Sequence, residues 1–123
     1  MKVLWVCRRS MTMEEFESLE DIFGDVELVN FNKKVSNWKE IVKAGKECDV
    51  FIVSVPAAIL KDLINPLYND KLVLTPNMKR VPTGEMIFNP DTGREEDEFC
   101  YKHGGWDKPI EVKIEVVVEK FMS

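Results

Sequence analysis

Two short apolar stretches decide the fold: residues 2–7 (KVLWVC) and residues 50–53 (VFIV). Both are unbroken and rich in β-branched or aromatic side chains, the pattern of strands buried on both faces of a parallel sheet. Helical segments follow them. Thr12 and Glu15 form a capping box at the first helix, and Pro56 opens the third. Strands that alternate with helices across short connections predict parallel pairing with right-handed crossovers.

We therefore expect an α/β fold with a three-layer, Rossmann-like parallel sheet in the order 2-1-3-4. Residues 81–88 and 98–101 flank the turn signal NPDTG at 89–93 and predict a β-hairpin. Residues 110–118 (IEVKIEVVV) alternate in their first half, which predicts a last strand with one exposed face. A chain of 123 residues fits one domain, residues 1–123. The predicted strands of the parallel sheet are residues 2–7, 26–31, 50–53 and 71–75.

The composition argues against several classes of partner and of site. The net charge of −5 argues against duplex DNA and anionic membranes as partners, although a local basic pocket stays compatible with it. Three widely spaced cysteines and a single histidine give neither a disulfide framework nor a zinc signature. Free thiols suit a reducing compartment, and no apolar run approaches the ~20 residues of a membrane span. We expect a cytoplasmic protein with no metal.

The strand exits predict a site. In open α/β sheets, ligands bind beyond the carboxyl ends of the strands where the strand order reverses, here between the first and third strands. Basic side chains, hydroxyls and free helix N–H groups would meet there, as a phosphate requires. The alternative interpretation is that these cations only make the loops hydrophilic. The expected ligand-binding residues are Arg8, Asn32, Ser54, Asn77, Lys79 and Arg80, with Lys33 on the same rim.

Several familiar sites are absent or ambiguous. The turn after the first strand, CRRS at 7–10, contains no glycine, so a standard dinucleotide site is excluded, and there is no P-loop. We expect no cofactor. His103 is the candidate general acid–base, or else a turn histidine before a glycine pair. Cys7 could be a nucleophile, although a buried strand-end cysteine is the simpler interpretation. The acidic run at 95–98 is either a solvated turn or part of a metal cluster.

Four segments carry a family resemblance: RSMTMEE at 9–15, SVPAAIL at 54–60, RVPTG at 80–84 and FCYKHGGW at 99–106. In these the chain resembles small Rossmann-like accessory proteins encoded beside type III CRISPR systems, and related phage proteins. These families bind cyclic oligoadenylates, and some cleave them as ring nucleases. The resemblance implies a nucleotide ligand and, for a ring nuclease, cleavage of that ligand.

The leading hypothesis is a homodimeric domain that binds a cyclic or linear oligonucleotide signal and could cleave it without metal. A ribose 2′-hydroxyl would attack the adjacent phosphate, with Arg9, Ser10, Lys79 or Arg80 stabilising charge and His103 as an optional proton carrier. The second hypothesis is a non-catalytic interaction or assembly subunit that uses residues 110–118 as its contact edge, and a third is an unrelated small-molecule enzyme. The homodimer is expected because residues 110–118 and Trp106 would leave an apolar surface uncovered.

Overall fold

The computed structural model describes residues 1–121 and shows an α/β fold with five strands and three helices. The strands form one mixed sheet in the order β2-β1-β3-β4-β5. In chain order the elements are β1 (Lys2–Val6), α1 (Met13–Phe23), β2 (Glu27–Asn30), α2 (Trp38–Ala44), β3 (Val50–Val53), α3 (Ala57–Leu63), β4 (Leu72–Asn89) and β5 (Arg94–Asp107).

The parallel part of the sheet confirms the predicted order 2-1-3-4. β1 pairs in parallel with β2 on one side and β3 on the other, and β3 pairs in parallel with the start of β4. Trp5 and Ile52 are buried, as their apolar runs predict. Successive strand residues point to opposite faces. Leu4 and Phe51 accordingly pack with side chains of α2 and α3, whereas Trp5 and Ile52 pack with Leu19 of α1.

Local sequence signals fix the helix starts. Thr12 caps α1, its hydroxyl accepting from the backbone N–H of Glu15, and the reciprocal bond of the capping box is present. Asn37 caps α2 through its side-chain oxygen. Pro56 stands at the N-cap of α3, where its missing N–H has no consequence. These caps fix the residue at which each loop after β1, β2 and β3 ends and its helix begins.

The fourth strand is much longer than predicted, which makes the sheet mixed. We expected β4 to end near residue 75, but it continues to Asn89 as half of an antiparallel hairpin with β5. The register shifts after Pro76 and again after Pro82. Proline cannot donate to a strand ladder and is tolerated at such irregularities. The hairpin turn lies where the sequence predicts it, with Gly93 at φ 68° donating to the carbonyl of Asn89.

The predicted last strand is wrong for the described chain. Residues 108–121 run without any strand pairing. Alternation predicted a strand here, but none of the described residues pairs with this segment. Trp106, expected at an apolar contact surface, instead packs in the cluster against α1. Among residues 1–121, no helix has both the length and the apolar character needed to cross a membrane.

Candidate functional site

A broad crevice of about 1080 Å³ opens beyond the carboxyl ends of β1 and β3. This is where strand order reverses, because the chain goes from β1 to its neighbour β2 and then back across β1 to β3. Its walls come from the exits of β1, β2 and β3 and from the part of β4 just beyond its parallel segment. The lining residues are Val6, Cys7, Arg8, Arg9, Phe31, Asn32, Lys33, Lys34, Val35, Ser54, Val55, Pro56, Pro76 and Met78.

The crevice is basic within an acidic protein. Its lining holds four cations, Arg8, Arg9, Lys33 and Lys34, and no carboxylate. The chain as a whole carries a net charge of −5. Arg9 is paired with the carboxylate of Glu15 behind the wall, whereas Arg8, Lys33 and Lys34 have no ion-pair partner among the described residues. An anion bound at the opening would relieve the repulsion among these three charges. Asn32 and the Ser54 hydroxyl add neutral hydrogen-bonding groups between the cations.

Hydrogen bonds to the buried carboxylate of Glu15 hold the Arg9 side chain in place. Its Nη2 donates to Glu15 Oε2 at 2.8 Å, and its Nη1 donates to Oε1 of the same carboxylate. Glu15 is fully buried, and it also accepts from the backbone N–H and the hydroxyl of Thr12. Burial by itself would raise the pKa of Glu15, but the hydrogen bonds from Arg9 and Thr12 outweigh it and hold the pKa below its ordinary value.

The turn that carries Arg9 is fixed at two further points. The indole N–H of Trp5 donates to the Arg9 carbonyl at 2.7 Å, and the guanidinium lies 5.2 Å from the centre of the Trp5 ring. The Arg9 side chain still keeps 40% of its surface exposed toward the crevice. Arg9 therefore presents a fixed positive charge, while neighbouring Arg8 is exposed and makes no side-chain hydrogen bond or ion pair in the described chain.

Cys7 lies at the base of the crevice and is a poor nucleophile. Burial raises the pKa of its thiol to about 12, although the nearby Arg9 charge acts in the opposite direction. The thiolate is the reactive form of cysteine, so this residue stays protonated near neutral pH. This agrees with the interpretation of Cys7 as a strand-end cysteine.

The structure brings together only part of the predicted site. Arg8, Arg9, Asn32 and Ser54 line the crevice, as does Lys33. Ser10 is exposed but lies outside the lining. Three further predicted residues lie in the middle of the long β4, within its hairpin part and not at the end of a strand. They are Asn77, Lys79 and Arg80.

Within the hairpin, these residues have their own cross-strand neighbours. The guanidinium of Arg80 lies 3.8 Å from the centre of the Phe99 ring. Lys79 stands opposite Lys102 in the strand ladder. Two other residues that follow the predicted end of the fourth strand at residue 75 do line the crevice: Pro76 and Met78.

His103 lies against α1 and not at the crevice. Its Nε2 is 3.2 Å from the Ser18 hydroxyl, which also accepts from the indole N–H of Trp106 at 3.1 Å. The His103 ring is tilted against Trp106 at 4.9 Å between centroids, and its buried Nδ1 has no hydrogen-bond partner among the described residues. His103 is not part of the crevice lining.

Sequence reasoning missed Lys34, Phe31 and Met78 as lining residues. Lys34 follows Lys33 in the exit of β2, so the same strand-exit rule could have included it. Phe31 and Met78 are partly buried and give the crevice an apolar wall beside its cations. Met78 follows the predicted end of the fourth strand, so the strand-exit rule could have included it too, although its position also depends on the long-range pairing of β4 with β5.

Within residues 1–121, no three His, Cys, Asp or Glu side chains stand close enough together to hold a metal ion. The acidic run of residues 95–98 lies along the exposed hairpin, where Glu96 accepts hydrogen bonds from Asn89 and Thr92. Comparison with protein-family models, with curated proteins and with solved structures finds no match.

Proposed function

We propose that the crevice binds a phosphate-bearing ligand, and that this ligand is a short linear or cyclic oligonucleotide such as a cyclic oligoadenylate. One observation carries the proposal: among the described residues the lining of a concave opening holds four cations and no carboxylate, and three of the cations have no ion-pair partner, on a protein whose net charge is −5. Arginine and lysine recognise phosphate by charge-assisted hydrogen bonds, and the exposed guanidinium of Arg8 bonds to no described residue.

The size and the apolar wall favour an oligonucleotide over a lone phosphate. Pockets for small molecules usually measure roughly 300–1000 Å³, and the crevice, at about 1080 Å³, exceeds that range. Partly buried Phe31 and Met78 offer apolar surface against which a base could stack, while the cations take the backbone phosphates. A single inorganic anion would leave most of this surface unused.

Binding is better supported than turnover. The described lining has no histidine and no carboxylate, and the Cys7 thiol stays protonated, so the crevice lacks a group suited to proton transfer near neutral pH. If the ligand is cleaved, its own 2′-oxygen would bond to phosphorus as the bond to the 5′-oxygen breaks, which leaves a 2′,3′-cyclic phosphate and a 5′-hydroxyl. Solvent water would take the 2′-hydroxyl proton and supply one to the leaving 5′-oxygen, and the Arg9 guanidinium would stabilise the phosphate in the transition state. In this scheme His103 contacts no reacting atom.

The test is calorimetric titration with inorganic phosphate, AMP, linear di- and tetra-adenylate, and cyclic di-, tri-, tetra- and hexa-adenylate. We expect an oligonucleotide to bind and phosphate alone to bind much more weakly. Arg8→Ala should weaken binding by at least about tenfold, as expected for the loss of a charged hydrogen bond. Lys61→Ala removes an exposed cation outside the crevice and should leave the affinity unchanged.

Two outcomes oppose the proposal. One is the absence of binding across the panel, and the other is an equal effect of Arg8→Ala and Lys61→Ala. Turnover is measured separately, by chromatography of the bound oligonucleotide after incubation with EDTA. Linear products would support the ring-nuclease hypothesis. Binding without products would identify a sensor or a sequestering protein.

A further inference from the structure

The segment of residues 110–118 has the sequence of a strand and an exposed apolar face. Ile110 is 87% exposed, Val116 81% and Val118 81%, and no described residue pairs with their backbone. Ile and Val are strong strand formers, and a monomer seldom leaves such a run of them in water. The segment therefore has no strand partner among residues 1–121.

The geometry points to a second copy of the same segment as that partner: we propose that residues 110–118 of two chains pair antiparallel around a twofold axis at Ile114. In antiparallel pairing, directly opposite residues share a face of the ribbon. With Ile114 opposite itself, each lysine at 113 faces the glutamate at 115 of the other chain, and this ion pair forms twice. The apolar face pairs Ile114 with Ile114, Val112 with Val116, and Ile110 with Val118.

Neighbouring registers fit less well. A twofold at Lys113 would set Lys113 opposite Lys113 and Glu111 opposite Glu115, and like charges directly opposite each other destabilise a ribbon. A twofold at Glu115 would set that carboxylate opposite itself. A shift by one residue on one chain would bring apolar side chains opposite charged ones. A twofold at Val112 also matches charges, but it pairs fewer residues, because it brings Pro109 into the ladder.

The association should be weak and reversible. A two-stranded ribbon is only marginally stable in water, and an interface formed by one nine-residue segment falls among the smaller, transient contacts. The state of the protein should therefore change with concentration. This inference is independent of the crevice, whose lining contains no residue of the segment.

Charge exchange at positions 113 and 115 tests the register. Sedimentation velocity between about 1 and 500 µM should show the wild type moving from monomer to dimer. Lys113→Glu alone places Glu opposite Glu, and Glu115→Lys alone places Lys opposite Lys. Each should weaken the dimer at least about tenfold. An equimolar mixture of the two variants restores both opposite-charge pairs and should recover the association.

Glu111→Lys is the matched control, because it makes the same change in net charge as Glu115→Lys. In the proposed register, Glu111 faces Val117 of the other chain and has no charged partner. This variant should therefore still dimerise. The inference is overturned if the wild type stays monomeric at 500 µM, if Glu111→Lys is as disruptive as Glu115→Lys, or if the mixture of single variants fails to associate.

Discussion

The guanidinium of Arg9 donates two hydrogen bonds to the carboxylate of Glu15, and that carboxylate is completely buried at the start of α1. One end of the pair thus belongs to the hydrophobic interior and the other to the wall of the crevice. Arg9 was predicted from the sequence as a residue that acts on the ligand. The structure gives it a second task, which is to neutralise a charge that water cannot reach.

Loss of Arg9 should therefore cost stability. In Arg9→Ala, Glu15 stays buried with Thr12 as its remaining partner, and breaking a buried ion pair typically costs about 3–5 kcal/mol. Because the Arg9 side chain is 40% exposed, we expect a smaller decrease in the free energy of unfolding, about 2 kcal/mol. Urea titration followed by circular dichroism measures it. Arg8→Ala, at the exposed neighbouring position, should change it by less than about 0.5 kcal/mol; similar values for the two variants would contradict this role.

Stability should also fall in acid because of Glu15. Its pKa is lower in the folded protein than its ordinary value, so the unfolded chain binds a proton more readily. The stabilisation is complete above the unfolded pKa of about 4.3 and is lost as the pH falls through the folded value. Unfolding of the wild type and Glu15→Gln should be compared from pH 7 to pH 3. The difference between them should shrink below about pH 4.3, and a constant difference would refute this assignment.

Cys7 should resist alkylation. A thiol pKa of about 12 in place of the ordinary 9.0 leaves roughly a thousandfold less thiolate near pH 8. Iodoacetamide labelling of the native protein at pH 8, followed by peptide mass spectrometry, should show Cys7 reacting at least about a hundredfold more slowly than it does in urea. Labelling in urea serves as the control for the same residue. Equal rates in the two conditions would mean that the thiol is not shielded.

Ligand affinity should fall as salt is added. Several cations contribute to the crevice, and each neutralised phosphate contact adds to the salt dependence. Titrations between 50 and 300 mM salt should give a negative slope of the logarithm of affinity against that of salt concentration. Lys33→Ala should make that slope shallower by about one unit or less, whereas Lys61→Ala should not alter it. If Lys33→Ala has the same slope as the wild type, the anion does not bind at Lys33.

The sequence predicted the features that depend on local signals. Buried apolar runs and helix caps gave the order of the parallel strands, and the strand-exit rule found Arg8, Asn32 and Ser54. The failures concern pairing between distant segments. Nothing near residue 75 indicates that β4 continues, since its partner β5 lies beyond a turn at residues 90–93. Residues that depend on that pairing, such as Lys79, were therefore placed incorrectly relative to the strand end.

Nothing in the sequence indicated that Glu15 is buried. The capping box predicted its place at the third helical position, where a glutamate is usually half in water. In the structure its carboxylate is fully buried and accepts hydrogen bonds from Arg9 and Thr12. Alternation in residues 110–118 likewise predicted a strand, and the described chain forms none there because the segment has no partner within residues 1–121.

The continuity of β4 links two regions that would otherwise be independent. One unbroken strand contributes Leu74 to the core, Pro76 and Met78 to the crevice, and Phe88 to the exposed end of the hairpin. The register shift between Pro76 and Met78 lies at the crevice wall itself. Because the hairpin and the crevice wall share this strand, a change that displaces the base of the hairpin would displace Pro76 and Met78 with it.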